Sequence, residues 1–183
     1  TLSSAATTTM ASSALTIGTG STYTGATTIA AGTLRAGSSS QFTSATVADN
    51  VAGYITSTGG PLGVNSAVSL ANVAGAALDV NGHTVVIGSL SGGGSTGGNV
   101  ILSGGGNLVV GGGNLINNVS NIENRTTFGG QITGNGGITK TGNGVLRLTN
   151  SGNTFSGQVN INAGTLVVSD MGQLGTGTSP VFV

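Results

Sequence analysis

The sequence predicts an all-β solenoid, and three observations lead there. A cassette recurs about 132 residues apart, as Tyr23-Thr-Gly-Ala-Thr-Thr-Ile-Ala-Ala-Gly-Thr-Leu-Arg-Ala36 and Phe155-Ser-Gly-Gln-Val-Asn-Ile-Asn-Ala-Gly-Thr-Leu-Val-Val168. Internal self-similarity of this kind marks an array in which each repeat packs on its neighbours. Short runs of Val, Ile and Leu alternate with polar residues, the period of a strand with one buried face. Gly and Asn punctuate those runs, and both tolerate the positive φ that sharp corners need.

Composition supports a packed chain with few charges. Of 183 residues 36 are Gly, 37% are hydrophobic and only 4% are charged, with mean hydropathy +0.30. Disordered chains are poor in aliphatics and rich in charge or Pro; this chain has 2 Pro. The net charge is zero, and Arg35, Arg125, Lys140 and Arg147 are scattered along the sequence. That removes the basic footprint expected of a nucleic-acid or anionic-membrane binder. No apolar run approaches the ~20 residues of a membrane-spanning helix. Cysteine is absent, which rules out disulfides and thiolate zinc sites.

Helical apolar spacing is broken by Gly throughout, whereas strand patterns recur. Leu78 and Val80, Val85 and Ile87, Val100 and Leu102, and Leu108 and Val110 are expected to face inward. Leu146 and Leu148 share a face opposite Arg147; Val159 and Ile161 point inward with Asn160 and Asn162 outward; Leu166 and Val168 are buried. Corners fall at Asn81-Gly82, Gly92-Gly93-Gly94, Gly104-Gly105-Gly106, Gly111-Gly112-Gly113, Asn135-Gly136-Gly137 and Asn143-Gly144. Some of these dipeptides equally suit hairpins, so a stack of antiparallel hairpins is the structural rival. Short strands with uniformly aliphatic inward residues favour stacked rungs about 4.8 Å apart. With rungs of roughly 20 to 25 residues the chain makes about eight, a rod on the order of 40 Å long. Residues 1–13 are the least patterned, residues 38–60 are expected to bulge, and residues 114–127, with Ile116, Val119 and Ile122, to form a lateral excursion. The start at Thr1 reads as a mature or fragmentary product, and Ser179-Pro-Val-Phe-Val183 reads as the beginning of a strand.

The longest ordered string is Phe128-Gly-Gly-Gln-Ile-Thr-Gly-Asn-Gly-Gly-Ile-Thr-Lys-Thr-Gly-Asn-Gly-Val-Leu-Arg-Leu-Thr149, followed by Asn153-Thr-Phe-Ser-Gly157, Ile161-Asn-Ala-Gly-Thr-Leu166 and Gly172-Gln-Leu-Gly175. It resembles the passenger-associated transport repeat of bacterial autotransporters. The full resemblance covers 128–183, a spacer-like stretch adds 77–110, and a partial repeat adds 14–36, within one solenoid segment spanning 1–183. The first copy lacks the Lys-Thr-Gly segment, with Thr9-Met-Ala-Ser12 near that place, and nothing in the chain resembles a translocator barrel. The resemblance implies a right-handed parallel β-helix that crosses the outer membrane unfolded and folds outside the cell. Absent cysteines and few charges suit that passage.

The side-chain chemistry points away from catalysis. The acids are Asp49, Asp79, Glu123 and Asp170, none close to another in sequence, whereas glycoside hydrolysis needs a carboxylate pair roughly 5 to 9.5 Å apart. His83, the single histidine, follows a corner and is expected to face solvent; Glu123 and Arg125 are expected to form a local ion pair of little worth. The Gly-rich strings lack the Gly-Lys-Ser/Thr of a phosphate loop, and Gly112-Gly-Asn-Leu has Asn where a calcium nonapeptide would need Asp. Thr residues fall in irregular groups, Thr7-Thr8-Thr9 and Thr126-Thr127, unlike a regular ice-binding face. No catalytic, cofactor-binding or metal-ligating residue is therefore nominated, and no cofactor is expected. The implied function is a non-catalytic structural or adhesive rod on the bacterial surface. The alternative is a self-assembling extracellular fibre stacking end to end through uncapped edges. Expected partners are other copies or adjacent repeats and surface or matrix glycans or proteins, with no nucleic acid.

Overall fold

The computed structural model describes residues 14–17, 27–38, 42–43, 56–57, 67–111, 125–177 and 181–182. Six short strands open the chain: β1 (Ala14–Ile17), β2 (Thr27–Ile29), β3 (Thr33–Ala36), β4 (Phe42–Thr43), β5 (Thr56–Ser57) and β6 (Ala67–Leu70). They are followed by β7 (Ala77–Asp79), β8 (Thr84–Ile87), β9 (Ser89–Gly92), β10 (Asn99–Leu102), β11 (Asn107–Val110) and β12 (Arg125–Phe128). The last are β13 (Ile132–Gly134), β14 (Gly137–Lys140), β15 (Val145–Leu148), β16 (Val159–Ile161), β17 (Thr165–Val167) and β18 (Val181–Phe182). Single 3-10 turns lie at Ser103–Gly105 and Met171–Leu174, and no α-helix occurs among the described residues.

The strands form three parallel sheets. The first runs β1-β3-β7-β10-β13, the second β18-β16-β14-β11-β8, and the third β17-β15-β12-β9-β6-β2. From β7 to β15 the chain visits first, second and third sheet in strict rotation. Each strand therefore pairs with the strand one circuit earlier, as Leu78 with Val100 and Leu108 with Ile138. Only β4 and β5 pair antiparallel, Phe42 opposite Ser57. The hairpin stack is thus excluded for the three large sheets, whose parallel ladders need the intervening crossovers.

Parallel register puts like on like, and the core is a set of columns. Leu34, Leu78, Val100 and Ile132 stack in the first sheet, and Val85, Leu108, Ile138 and Val159 in the second. In the third, Ile29, Leu70, Gly92, Phe128 and Leu148 are successive register partners. All these hydrophobic side chains are buried. Gly92 sits in that column because a Cβ there would run into the Leu70 carbonyl. After β15 the first face continues without a strand. The Thr154 and Ser156 N–H groups donate to the Ile132 and Gly134 carbonyls at 2.9 and 3.0 Å, while Phe155 is fully buried.

Three expectations need correction. Among the described residues the third sheet stacks six strands and the first face seven levels, five strands followed by residues 154–156 and then Thr176, whose N–H donates to the Phe155 carbonyl at 2.9 Å; six spacings of about 4.8 Å give roughly 30 Å, against the expected eight rungs and 40 Å. The register shows why: a circuit runs from 78 to 100, but the step from 34 to 78 consumes about twice that length and the step from 100 to 132 half as much again. Within the first of the stretches expected to bulge, β4 and β5 form a separate pair; most of 38–60, Ile116, Val119, Ile122 and residues 1–13 lie outside the described residues. Residues 125–127, placed in an excursion, instead belong to β12 and pair with β15. Finally, Ile161, Leu166 and Val168 are only half-buried. Leu166 lies on β17, the edge strand of the third sheet, and with Val168 packs against the core as a partly buried side chain, while Ile161 ends β16 beyond the two residues that pair with β18.

Gly134 and Gly105 separate corner crowding from corner conformation. Gly134 has φ 108° and a Cβ there would strike the Leu102 carbonyl; Gly105 has φ 74° and open space around it. Gly105→Ala is expected to cost about 1 kcal/mol, from the backbone conformation alone. Gly134→Ala should cost upwards of about 3 kcal/mol, strain and collision together. Urea midpoints of the two variants check the ordering.

Candidate functional site

Polar side chains in this fold sit mainly at the corners and on the outward faces, and most bond to the circuit next door. The Asn72 side-chain oxygen accepts from the N–H groups of Thr96 and Gly97 at 2.8 and 3.1 Å. Asn99 accepts from Gln131 N–H at 3.0 Å, Asn135 from Gly105 N–H at 2.7 Å, and Asn153 from Ile132 N–H at 2.9 Å. Asn153 also donates to the Gln173 carbonyl at 2.8 Å, and both residues are buried. Neutral amides thus satisfy backbone groups that the corners leave without strand partners, where an unmade bond would cost about 1–3 kcal/mol.

Asp79 is the most enclosed acid among the described residues, at 4% exposure. The register sets Arg35 directly opposite it, and Arg35 Nε donates to Oδ2 at 2.9 Å. Oδ1 accepts from Ser103 Oγ at 2.6 Å and from Asn81 N–H at 2.9 Å, while Asn81 Nδ2 donates to the Ala36 carbonyl at 3.1 Å. One carboxylate so ties together three successive circuits. Asp170 is exposed and caps the 3-10 turn at Met171–Leu174, accepting from Gly172 N–H at 2.7 Å. Both acids have structural partners and neither faces the other across a cleft.

Lys140, the chain's single lysine, occupies an aliphatic place. Its column reads Ile87, Val110, Lys140, Ile161. The side chain is 2% exposed, and its ammonium donates to the Thr141 carbonyl and to the Gly142 carbonyl, the latter at 2.9 Å. Burial pulls its pKa from 10.5 down to about 8. The lysine stem extends the hydrophobic ladder while its head gathers corner carbonyls.

The sequence nominated no site residue, and the structure explains where the weighed ones went. His83 follows the corner formed by Asn81 (φ 49°) and Gly82 (φ 77°); it is half-buried, its N–H donating to the Val80 carbonyl at 2.9 Å. Asp49, Glu123 and Gly112-Gly-Asn-Leu lie outside the described residues. Arg125, expected within the lateral excursion of 114–127, opens β12. The basic residues are also less scattered than the sequence implied. Arg125 lies opposite Val145 and Arg147 opposite Thr127, so both guanidinium groups stand on the outward face of the third sheet, exposed. Among the described residues no group of three metal-ligating side chains forms, and no helix is long and apolar enough to cross a membrane. A shallow depression lined by Val159, Met171, Leu174 and Thr176 lies beside the last circuit.

With this geometry in place, the chain can be set among known proteins. The family model for the passenger-associated transport repeat matches residues 12–36 and 138–168. The second match spans β14 to β17, including Lys140 and the Arg147 strand. The chain is also similar to the adhesin BmaC autotransporter of Brucella suis biovar 1 (strain 1330), with 41% identity over 99 residues, or 54% of this chain. The match spans 3% of that relative's length. No solved structure matches the chain.

Two outcomes follow from the buried charges. Asp79→Ala leaves the Arg35, Ser103 and Asn81 donors without their acceptor and is expected to destabilise by about 3 kcal/mol, read from urea unfolding. For Lys140, the folded pKa near 8 lies below the ordinary 10.5. The folded state releases its proton first, so stability should rise as pH climbs from 8 to 10.5 and level off beyond. Lys140→Met should lose that rise; an equal rise in the variant would show that another group carries it.

Proposed function

We propose that this chain is part of the passenger of an autotransporter, a right-handed parallel β-helical rod with a structural and adhesive role outside the cell. The observation that carries the reading is the coincidence of family repeat and fold. Residues 138–168 supply consecutive strands of the second and third sheets, each in register with the strand a circuit earlier. A rotation through three parallel sheets is the connectivity of a β-helix, and the right hand is the one parallel crossovers adopt. The relative's name as an adhesin supports adhesion. A non-catalytic role is supported by the engagement of Asp79 and Asp170 in structural bonds.

The same features suit export. The chain has no cysteine to cross-link before passage and only 4% charged residues. Each circuit folds against its predecessor, so order can propagate along the rod as the chain emerges. A second reading, end-to-end stacking into a fibre, has one supporting observation: among the described residues nothing pairs with the outer edge of β17, and Val167 and Met171 beside it are exposed. An unpaired edge templates a further strand, from the same polypeptide or another copy.

An epitope inserted at the exposed Asn72–Gly75 turn of the full polypeptide tests the main reading. Labelling of intact cells by a membrane-impermeant antibody is expected; labelling only after the outer membrane is opened would refute it. Sedimentation of the purified chain at rising concentration tests the fibre, which requires polymer growth and is excluded by a strict monomer.

A further inference from the structure

We infer that the outward face of the third sheet, centred on Arg125 and Arg147, binds acidic polysaccharide, deepening the adhesive reading on which it rests. The two arginines are separated by one circuit in sequence but lie on adjacent strands of one flat surface. Arg125 faces Val145, two residues before Arg147, which places the two Cα atoms about 8 Å apart. Both side chains are exposed, and neither has an ion pair or hydrogen bond among the described residues. In a chain with four basic residues, two guanidinium groups on one face, neither partnered among the described residues, are a concentration of charge. The other two are committed elsewhere, Arg35 to Asp79 and Lys140 to corner carbonyls.

No described acid offsets them. Asp79 belongs to the first sheet beneath Arg35, and Asp170 lies past the end of β17, accepting from Gly172 N–H. Around the arginines the face carries hydroxyls: Ser69 and Ser91 are register partners on β6 and β9, Thr127 is the partner of Arg147, and Thr165 that of Val145. Guanidinium forks bind carboxylate or sulfate oxygens in two parallel bonds, and hydroxyls suit sugar hydroxyls. A sheet face six strands deep fits an extended polymer better than a small ligand, which needs a concave pocket.

Other polyanions fit less well. Nucleic acid is held by many phosphate contacts or by stacking on exposed aromatics, and Phe128 and Phe155 are buried. Anionic membranes attract clusters of lysine and arginine at roughly 1 kcal/mol per charge, more than two residues supply.

The test uses the purified 183-residue chain and four immobilised probes: hyaluronate, which carries carboxylates alone, heparin, which adds sulfates, neutral dextran, and a single-stranded oligonucleotide. The proposal expects binding to hyaluronate or heparin that weakens with salt, and hyaluronate binding would identify carboxylate as sufficient. Arg125→Gln with Arg147→Gln should lower it at least tenfold while leaving the thermal midpoint and circular dichroism unchanged, since neither side chain is buried. Arg125→Gln alone should give an intermediate loss. Equal binding by the double variant, absence of binding to both acidic glycans, equal retention on dextran, or tighter binding to the oligonucleotide would each overturn the assignment. Surface labelling of intact cells reports separately on the passenger reading: labelled cells with no glycan binding refute this inference alone, and glycan binding without surface labelling refutes the display reading alone.

Discussion

Parallel stacking in register is the constraint from which the rest of this molecule follows. Once β10 is laid against β7 and β13 against β10, each residue in a strand meets the residue one circuit away on both sides. An aliphatic column then extends itself, because Leu34, Leu78, Val100 and Ile132 present matching surfaces to one another. Burying each such side chain is worth roughly 1.5–3 kcal/mol, and no circuit has a core of its own without its neighbours. The same arithmetic accounts for the edge of the third sheet, where Leu166 on β17 has a strand on one side only among the described residues and stays half-exposed.

The corners solve a different problem. Three turns per circuit leave backbone N–H and C=O groups without a ladder, and a chain with so few charges meets them with amides. Asn72, Asn99, Asn135 and Asn153 each accept from the backbone of an adjacent circuit. A neutral amide costs little to enclose when its bonds are made, whereas an enclosed charge needs a full set of partners. The two enclosed charges have such partners: Asp79 has three donors, and the Lys140 ammonium has two carbonyls. Asp79 thereby fastens three successive circuits, while Lys140 holds the corner of its own.

The aliphatic pairs were legible in the sequence because strand alternation is local. Leu78 with Val80, Val100 with Leu102, and Leu146 with Leu148 are all buried as their spacing implied. The contact between Arg35 and Asp79 was not legible, since it depends on a step of 44 positions across an irregular stretch. The pairing of Arg125 and Arg147 on one face was hidden for the same reason: they are neighbours only through the register of β12 and β15. The burial of Lys140 was not legible either, because only its column shows that the stem replaces an aliphatic side chain.

The most direct test of the parallel register uses the absence of native cysteine. Ser69 and Ser91 are register partners on the outward face of the third sheet, in strands β6 and β9. Residues paired in this way lie close enough for a disulfide, which needs Cα atoms about 4.4–6.8 Å apart. Under mild oxidation of the folded chain, Ser69→Cys with Ser91→Cys should form an intramolecular disulfide readily, while Ser69→Cys with the inward-facing Leu90→Cys should not. Failure of the first pair to close in the folded monomer, or equal closure of both, would contradict the stacked arrangement on which the account stands.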